Sequence, residues 1–215
     1  MRPTARLVCL VAAIVTLLTV LSPAHLLADD HVYLDIAMTG SEIDGPKPTP
    51  TTDLDLFGGL GLAFAVGYQR GLWRADLEWH IHGASAFAHS DTIGVRALMV
   101  NGYLDVPLGK YFAFTVGAGF GRADVDVEYD TCLDTLGCPA PTFTDARESV
   151  RAWQYSLALS WLYSETSRMT VGFRQLSTSD LGLVDSLGTP FSDDQLDMPL
   201  AILGWQHRFR HRSGP

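Results

Sequence analysis

The chain has 215 residues, and 24 acidic against 15 basic side chains give it a formal charge of −9 at pH 7. An acidic balance of this size argues against nucleic-acid binding by phosphate neutralisation. After the first two dozen residues no apolar run approaches the roughly twenty residues that a membrane helix needs. The rest of the chain is therefore either soluble or crosses a membrane as strands.

At the N-terminus Arg2 and Arg6 precede an uncharged apolar run from Leu7 to Leu21. Pro23 breaks the run, and Ala28 stands just before Asp29 and Asp30. Basic, apolar and small-residue segments in that order are the pattern of a secretory signal, which predicts cleavage after Ala28. The alternative is an uncleaved anchor, for which the run is short. Cys9 lies too early to be a lipid-attachment cysteine. Loss of residues 1–28 removes two arginines and no acid, so the exported chain is more acidic still. Residues 29–209 suit one domain, and residues 210–215 read as a periplasmic tail.

From residue 31 the dominant signal is a period of two. Residues 31–39 set Val32, Leu34, Ile36 and Met38 against Tyr33, Asp35, Ala37 and Thr39. Residues 60–69 set Leu60, Leu62, Phe64, Val66 and Tyr68 against glycine, alanine and Gln69. In residues 73–82 Trp73, Ala75, Leu77, Trp79 and Ile81 share one face, and Arg74, Asp76, Glu78, His80 and His82 share the other. Residues 93–106 alternate less cleanly, with Asn101, Tyr103 and Asp105 on the polar side. Phe112, Phe114, Val116, Ala118 and Phe120 then alternate with small residues through Gly121. Trp153 to Tyr163 alternate with Ala152, Gln154, Ser156, Ala158 and Ser160. Residues 168–176 oppose Met169, Val171 and Phe173 to Thr170, Gly172 and Arg174. Residues 198–209 oppose Ala201, Leu203, Trp205 and Phe209 to Ile202, Gly204, Gln206 and Arg208.

A soluble sheet turns its bulky apolar face inward and its charge outward. Here the faces opposite the bulky residues mix small and charged groups, which suits a narrow lumen, and aromatic residues stand near the ends of the apolar faces. Short links at 70–72, 107–110 and 164–167 alternate with long polar ones at 40–57, 83–92, 123–149 and 177–195, an asymmetry expected of periplasmic turns and external loops. The fold expected is all-β, an eight-stranded antiparallel transmembrane barrel whose closure leaves no unpaired edge in hydrocarbon. A soluble lipocalin-like barrel is the alternative. Cys132 and Cys138 lie close together in a polar stretch, where an oxidising compartment favours a local disulfide over two free thiols.

Three stretches resemble a known family. VGYQRGLWRADLEWH (66–80) and NGYLDVPLGKYFAFTVGAGFG (101–121) are similar to two hairpins of the outer-membrane β-barrel domain of opacity proteins, OmpA-like barrels and related surface antigens. GWQHRF (204–209) resembles that family's closing strand, which implies that Phe209 is the aromatic residue read by the assembly machinery. The chain departs from the pattern in lacking a proline before the glycine-rich strand and in running past Phe209. The resemblance implies outer-membrane localisation, and contact with outer-membrane lipid, lipopolysaccharide and the assembly machinery.

Candidate sites are few. Glu78, His80 and His82 share one face and could ligate Zn²⁺ or Cu²⁺, but same-face strand neighbours lie about 7 Å apart and a metal needs ligands converging from several elements. The other reading is a polar network in the lumen made of Asp35, Arg74, Asp76, Glu78, Asn101, Asp105, Gln154, Arg174, Gln206 and Arg208, in which arginines neutralise carboxylates. Gln175-Leu176-Ser177-Thr178 is placed like the His-x-Ser-Asn segment of outer-membrane lipid A deacylases, yet Gln175 stands where the base belongs and an amide cannot take the serine proton. The acids at 124–134 and 180–197 read as external loops that either bind Ca²⁺ or form a solvated surface. No cofactor motif is present. The expectation is a non-enzymatic barrel that anchors surface loops and contributes to envelope integrity or external contacts. A small-solute channel of the OmpW type is the alternative, kept open by the Gly- and Ala-rich inner faces, and a deacylase-like hydrolase is a third reading.

Overall fold

The computed structural model describes residues 30–43, 57–86, 92–130, 143–182 and 195–210. The segment expected to be a signal, the two cysteines Cys132 and Cys138, and residues 211–215 lie outside them. Eight strands run in chain order: β1 (His31–Ile43), β2 (Phe57–Arg70), β3 (Trp73–Ala86), β4 (Thr92–Pro107), β5 (Phe112–Asp130), β6 (Phe143–Leu162), β7 (Ser167–Thr178) and β8 (Asp197–Arg210). Each pairs antiparallel with the next, and β8 returns to β1 to close the barrel. In the closing pair Val32 lies opposite Phe209 and Ile36 opposite Trp205, so the backbone donors and acceptors of both terminal strands are satisfied within the ladder.

The short turns lie at one end. Gly71 (φ 58°) and Gly109 (φ 86°) occupy the left-handed region there, which a side chain would strain. The other end carries the long links, and here the strands run further than their sequence suggests. The link expected at 123–149 is mostly strand, because β5 continues to Asp130 and β6 begins at Phe143. The links expected at 40–57 and 83–92 shorten in the same way, to 44–56 and 87–91, whereas the one expected at 177–195 shifts to 179–196. The acids Asp124 and Asp126, expected on a loop, stand on β5.

The period of two persists through these extensions, but its polarity reverses. Over most of the barrel the outward face is bulky and apolar: Leu34, Leu77, Phe114, Leu157 and Leu203 are all more than 40% exposed except Phe114 at 37%. Tyr68, Trp73, Trp161, Tyr163 and Trp205 ring the short-turn end, and Trp205 Nε1 donates to the Tyr163 hydroxyl at 2.7 Å. Phe120, Trp153 and Tyr155 project further up. Above Phe120 the outward residues of β5 become Arg122, Asp124 and Asp126, while Ala123, Val125 and Val127 turn inward. On β4 likewise Leu98 and Val100 face out, whereas Arg96 replaces them one step higher. The upper interior is an apolar core that includes Ile93, Val95, Met99, Val125, Leu176, Leu196, Met198 and Leu200, all nearly inaccessible. The lower wall thus suits hydrocarbon and the upper wall suits water, as a barrel taller than the apolar band of a membrane requires.

Candidate functional site

Below the apolar core the lumen is crossed by charged side chains. Glu78 on β3 meets Arg174 on β7 through two parallel bonds, Nη1 to Oε1 at 2.7 Å and Nη2 to Oε2 at 2.8 Å. These strands are not neighbours in the sheet, so the pair ties opposite walls. Lower down, Arg168 on β7 donates to Asp105 Oδ2 on β4 at 2.8 Å. Arg74 reaches the same Asp105 oxygen at 3.2 Å and Gln206 Oε1 on β8 at 3.2 Å. Its guanidinium lies 4.2 Å from the centre of the Tyr103 ring, a cation–π contact inside a shielded space. Thr115 donates to the second Asp105 oxygen at 2.6 Å.

Asp76 joins the two tiers. It accepts from the Tyr33 hydroxyl and from Asn101 Nδ2, both at 2.9 Å. Asn101 Oδ1 in turn accepts from Gln154 Nε2 at 2.6 Å. Among the described residues the inner wall carries four carboxylates, Asp35, Asp76, Glu78 and Asp105, and four arginines, Arg74, Arg168, Arg174 and Arg208, so its formal charges balance in number. Such balance is what a low-dielectric interior demands of ionised groups.

Alternation alone places Asp35, Arg74, Asp76, Glu78, Asn101, Asp105, Gln154, Arg174, Gln206 and Arg208 on the inner wall, and all of them face inward. Arg168 is the member that the strand pattern left out, because it stands at the edge of a turn. Its parity with Thr170, Gly172 and Arg174 is the signal that identifies it.

The small inner residues make room for this network. A side-chain carbon on Gly67 would strike the Tyr33 ring, one on Gly117 the Tyr103 ring, and one on Gly119 the Asn101 amide. A cavity of about 40 Å³ remains beside Asp35, Arg74, Glu78 and Arg174, space for a few water molecules and no solute.

His80 and His82 lie above the Glu78–Arg174 pair. Both imidazoles are within 3.3 Å of the Thr39 hydroxyl, and His82 Nε2 is 2.7 Å from the Ser41 hydroxyl. Glu78 is engaged by Arg174, so it does not converge with the two histidines, and no cluster of three metal-ligating groups occurs among the described residues. Ser177 donates to Asp197 rather than to an imidazole. Gln175 lies opposite Tyr155 on β6 and Pro199 on β8. Phe209 stands on the outer wall of β8, its ring edge-on to His207 with centroids 5.1 Å apart.

The fold is that of outer-membrane barrels. Neisserial surface protein A superposes with a TM-score of 0.59 at 12% identity, over 83% of this chain and 97% of that one. The attachment invasion locus protein of Yersinia pestis, solved with the heparin analogue sucrose octasulfate, is also similar: TM-score 0.49, 12% identity, 84% and 99% covered. The N-terminal β-barrel domain of Pseudomonas aeruginosa OprF has a TM-score of 0.44 at 11% identity, with 82% and 97% covered. No family model and no curated protein sequence matches the chain. At these identities the likeness is one of architecture.

Proposed function

We propose that this protein is an integral outer-membrane barrel that does not conduct, and whose rigid wall holds the β5–β6 hairpin out from the cell surface. The long-link end faces outward, and β1 starts and β8 ends on the periplasmic side, as the asymmetry of turns in such barrels has it. The observation that carries the reading is the two-tier closure of the lumen. Charged ties between non-adjacent strands fill the membrane-embedded part, and the apolar core around Met99, Met198 and Leu200 fills the part above it. A water or ion path through such a wall must break buried ion pairs and wet a dry core, each costly.

The same closure opposes the channel alternative, because the glycines that kept it open accommodate tyrosine and asparagine side chains instead of free space. A hydrolase reading fares no better, since Ser177 is bonded to a carboxylate and Gln175 supplies no base. What the barrel offers a partner is its extended hairpin of 19- and 20-residue strands. The test is conductance of the refolded mature chain in a planar bilayer. Silence is expected across the range of voltages a bilayer withstands. Discrete, reproducible single-channel steps from the wild-type chain would overturn the reading.

A further inference from the structure

On the outer wall Arg122 of β5 lies directly opposite Arg151 of β6, and both are exposed. Like charges facing each other across an antiparallel pair are about 5 Å apart at the backbone and destabilise it. Their neighbours relieve such strain and they do not. Arg147 and Arg96 both reach Asp126, at 3.3 and 3.9 Å. Among the described residues neither Arg122 nor Arg151 is in an ion pair.

Height makes the pair informative. It stands at the level where the wall changes polarity, one step above the opposed Phe120 and Trp153 and one step below Asp124 and Ser149. From Phe112 to Arg122 a strand tilted at roughly 40° climbs about 25 Å at ~3.3 Å per residue. That is the thickness of the apolar band, so the two guanidiniums lie where hydrocarbon gives way to head groups. Arginine there offers planar, paired donors suited to phosphate.

From this we infer that Arg122 and Arg151 form a binding site for the phosphate of an outer-leaflet phosphoglycolipid, the lipid A part of lipopolysaccharide. Its acyl chains lie against Leu98, beside Arg122 on β4, and against Val100, Phe120 and Trp153 just below. The anion between the guanidiniums supplies the charge that the protein itself lacks there. The inference rests on the barrel spanning the outer membrane with its long-link end outward.

The experiment uses the full mature chain refolded in phosphatidylcholine vesicles, titrated with fluorescent bisphosphorylated lipid A or with the same lipid after removal of its phosphates. Wild-type protein binds the phosphorylated lipid, and Arg122→Gln/Arg151→Gln weakens binding by roughly tenfold or more. Arg147→Gln, two ranks higher and already paired with Asp126, changes it little. The dephosphorylated lipid binds wild type as weakly as phosphorylated lipid binds the double variant. In phosphatidylcholine alone the double variant unfolds at the same or higher urea concentration than wild type, because a repulsion has gone. Equal lipid A binding by wild type and double variant overturns the inference while the inserted barrel still stands. Full competition by inorganic phosphate overturns the assignment to lipid. A wild-type chain that fails to insert, seen as no heat-dependent gel shift, removes the membrane reading and the inference with it.

Discussion

Glu78 and Arg174 provide the sharpest quantitative test of how the lumen is held. Their bond is bidentate, with both side chains about 95% buried. At an effective dielectric of 20 two unit charges ~4 Å apart attract by about 4 kcal/mol. Removing one partner leaves the other buried and uncompensated, which typically costs about 3–5 kcal/mol. Arg174→Met should cost more than Glu78→Gln. It strands Glu78 near Asp76 with only Gln154 Nε2, at 3.4 Å, as a donor, whereas Glu78→Gln leaves Arg174 an amide oxygen. The double substitution removes both charges and should recover most of the loss, giving a coupling of at least ~2 kcal/mol. Equilibrium urea unfolding in lipid vesicles, followed by tryptophan emission, measures all three. Additive effects, within roughly 0.5 kcal/mol, would mean that the pair does not act as a unit, and the account of the lumen as cross-braced would fail.

The wall makes separate predictions. Leu157 faces outward in mid-barrel, so Leu157→Arg should cost about 2–4 kcal/mol of membrane stability, while Leu157→Phe should be tolerated; vesicle insertion yields compare them. Gly119 and Gly102 occupy adjoining strands but opposite faces. Gly119→Ala should collide with Asn101 and lower the urea midpoint, whereas Gly102→Ala meets nothing within 4 Å and should be neutral or slightly stabilising. If Cys132 and Cys138 are joined, reduction should change mass and loop protease sensitivity yet leave the heat-dependent gel shift, because closing so short a loop contributes on the order of 2–3 kcal/mol at most. Loss of that shift on reduction would contradict a local staple.

The cross-braced lumen and the opposed arginines of the outer wall give the two surfaces different chemistry. Inside, among the described residues, carboxylates and arginines are equal in number, as a wall in hydrocarbon requires. Outside, the rank where two arginines face each other coincides with the edge of the apolar band, the place where the proposed lipid phosphate would supply the counter-charge. Above that rank the hairpin is built like a soluble β-protein, with apolar residues in and polar residues out.

Much of this was legible in the linear chain. A strand exposes alternate residues to opposite faces, so Trp73, Leu77 and Trp79 separate from Arg74, Asp76 and Glu78 by position alone, and eight such segments with alternating short and long links determine the barrel. Which polar residues share the inner wall follows from the same parity. The partners do not. Glu78 and Arg174 are 96 residues apart, and only the register and shear of the closed sheet bring them level. The upper limits of β5 and β6 were hidden for a different reason. In Ala123 to Val127 the alternation continues, but acids occupy the outward face, and a pattern read for a membrane wall takes acids for a loop. Solvent, not sequence period, changes at Arg122. Because polarity is set by what surrounds the wall at each height, only the assembled barrel shows where the lipid ends.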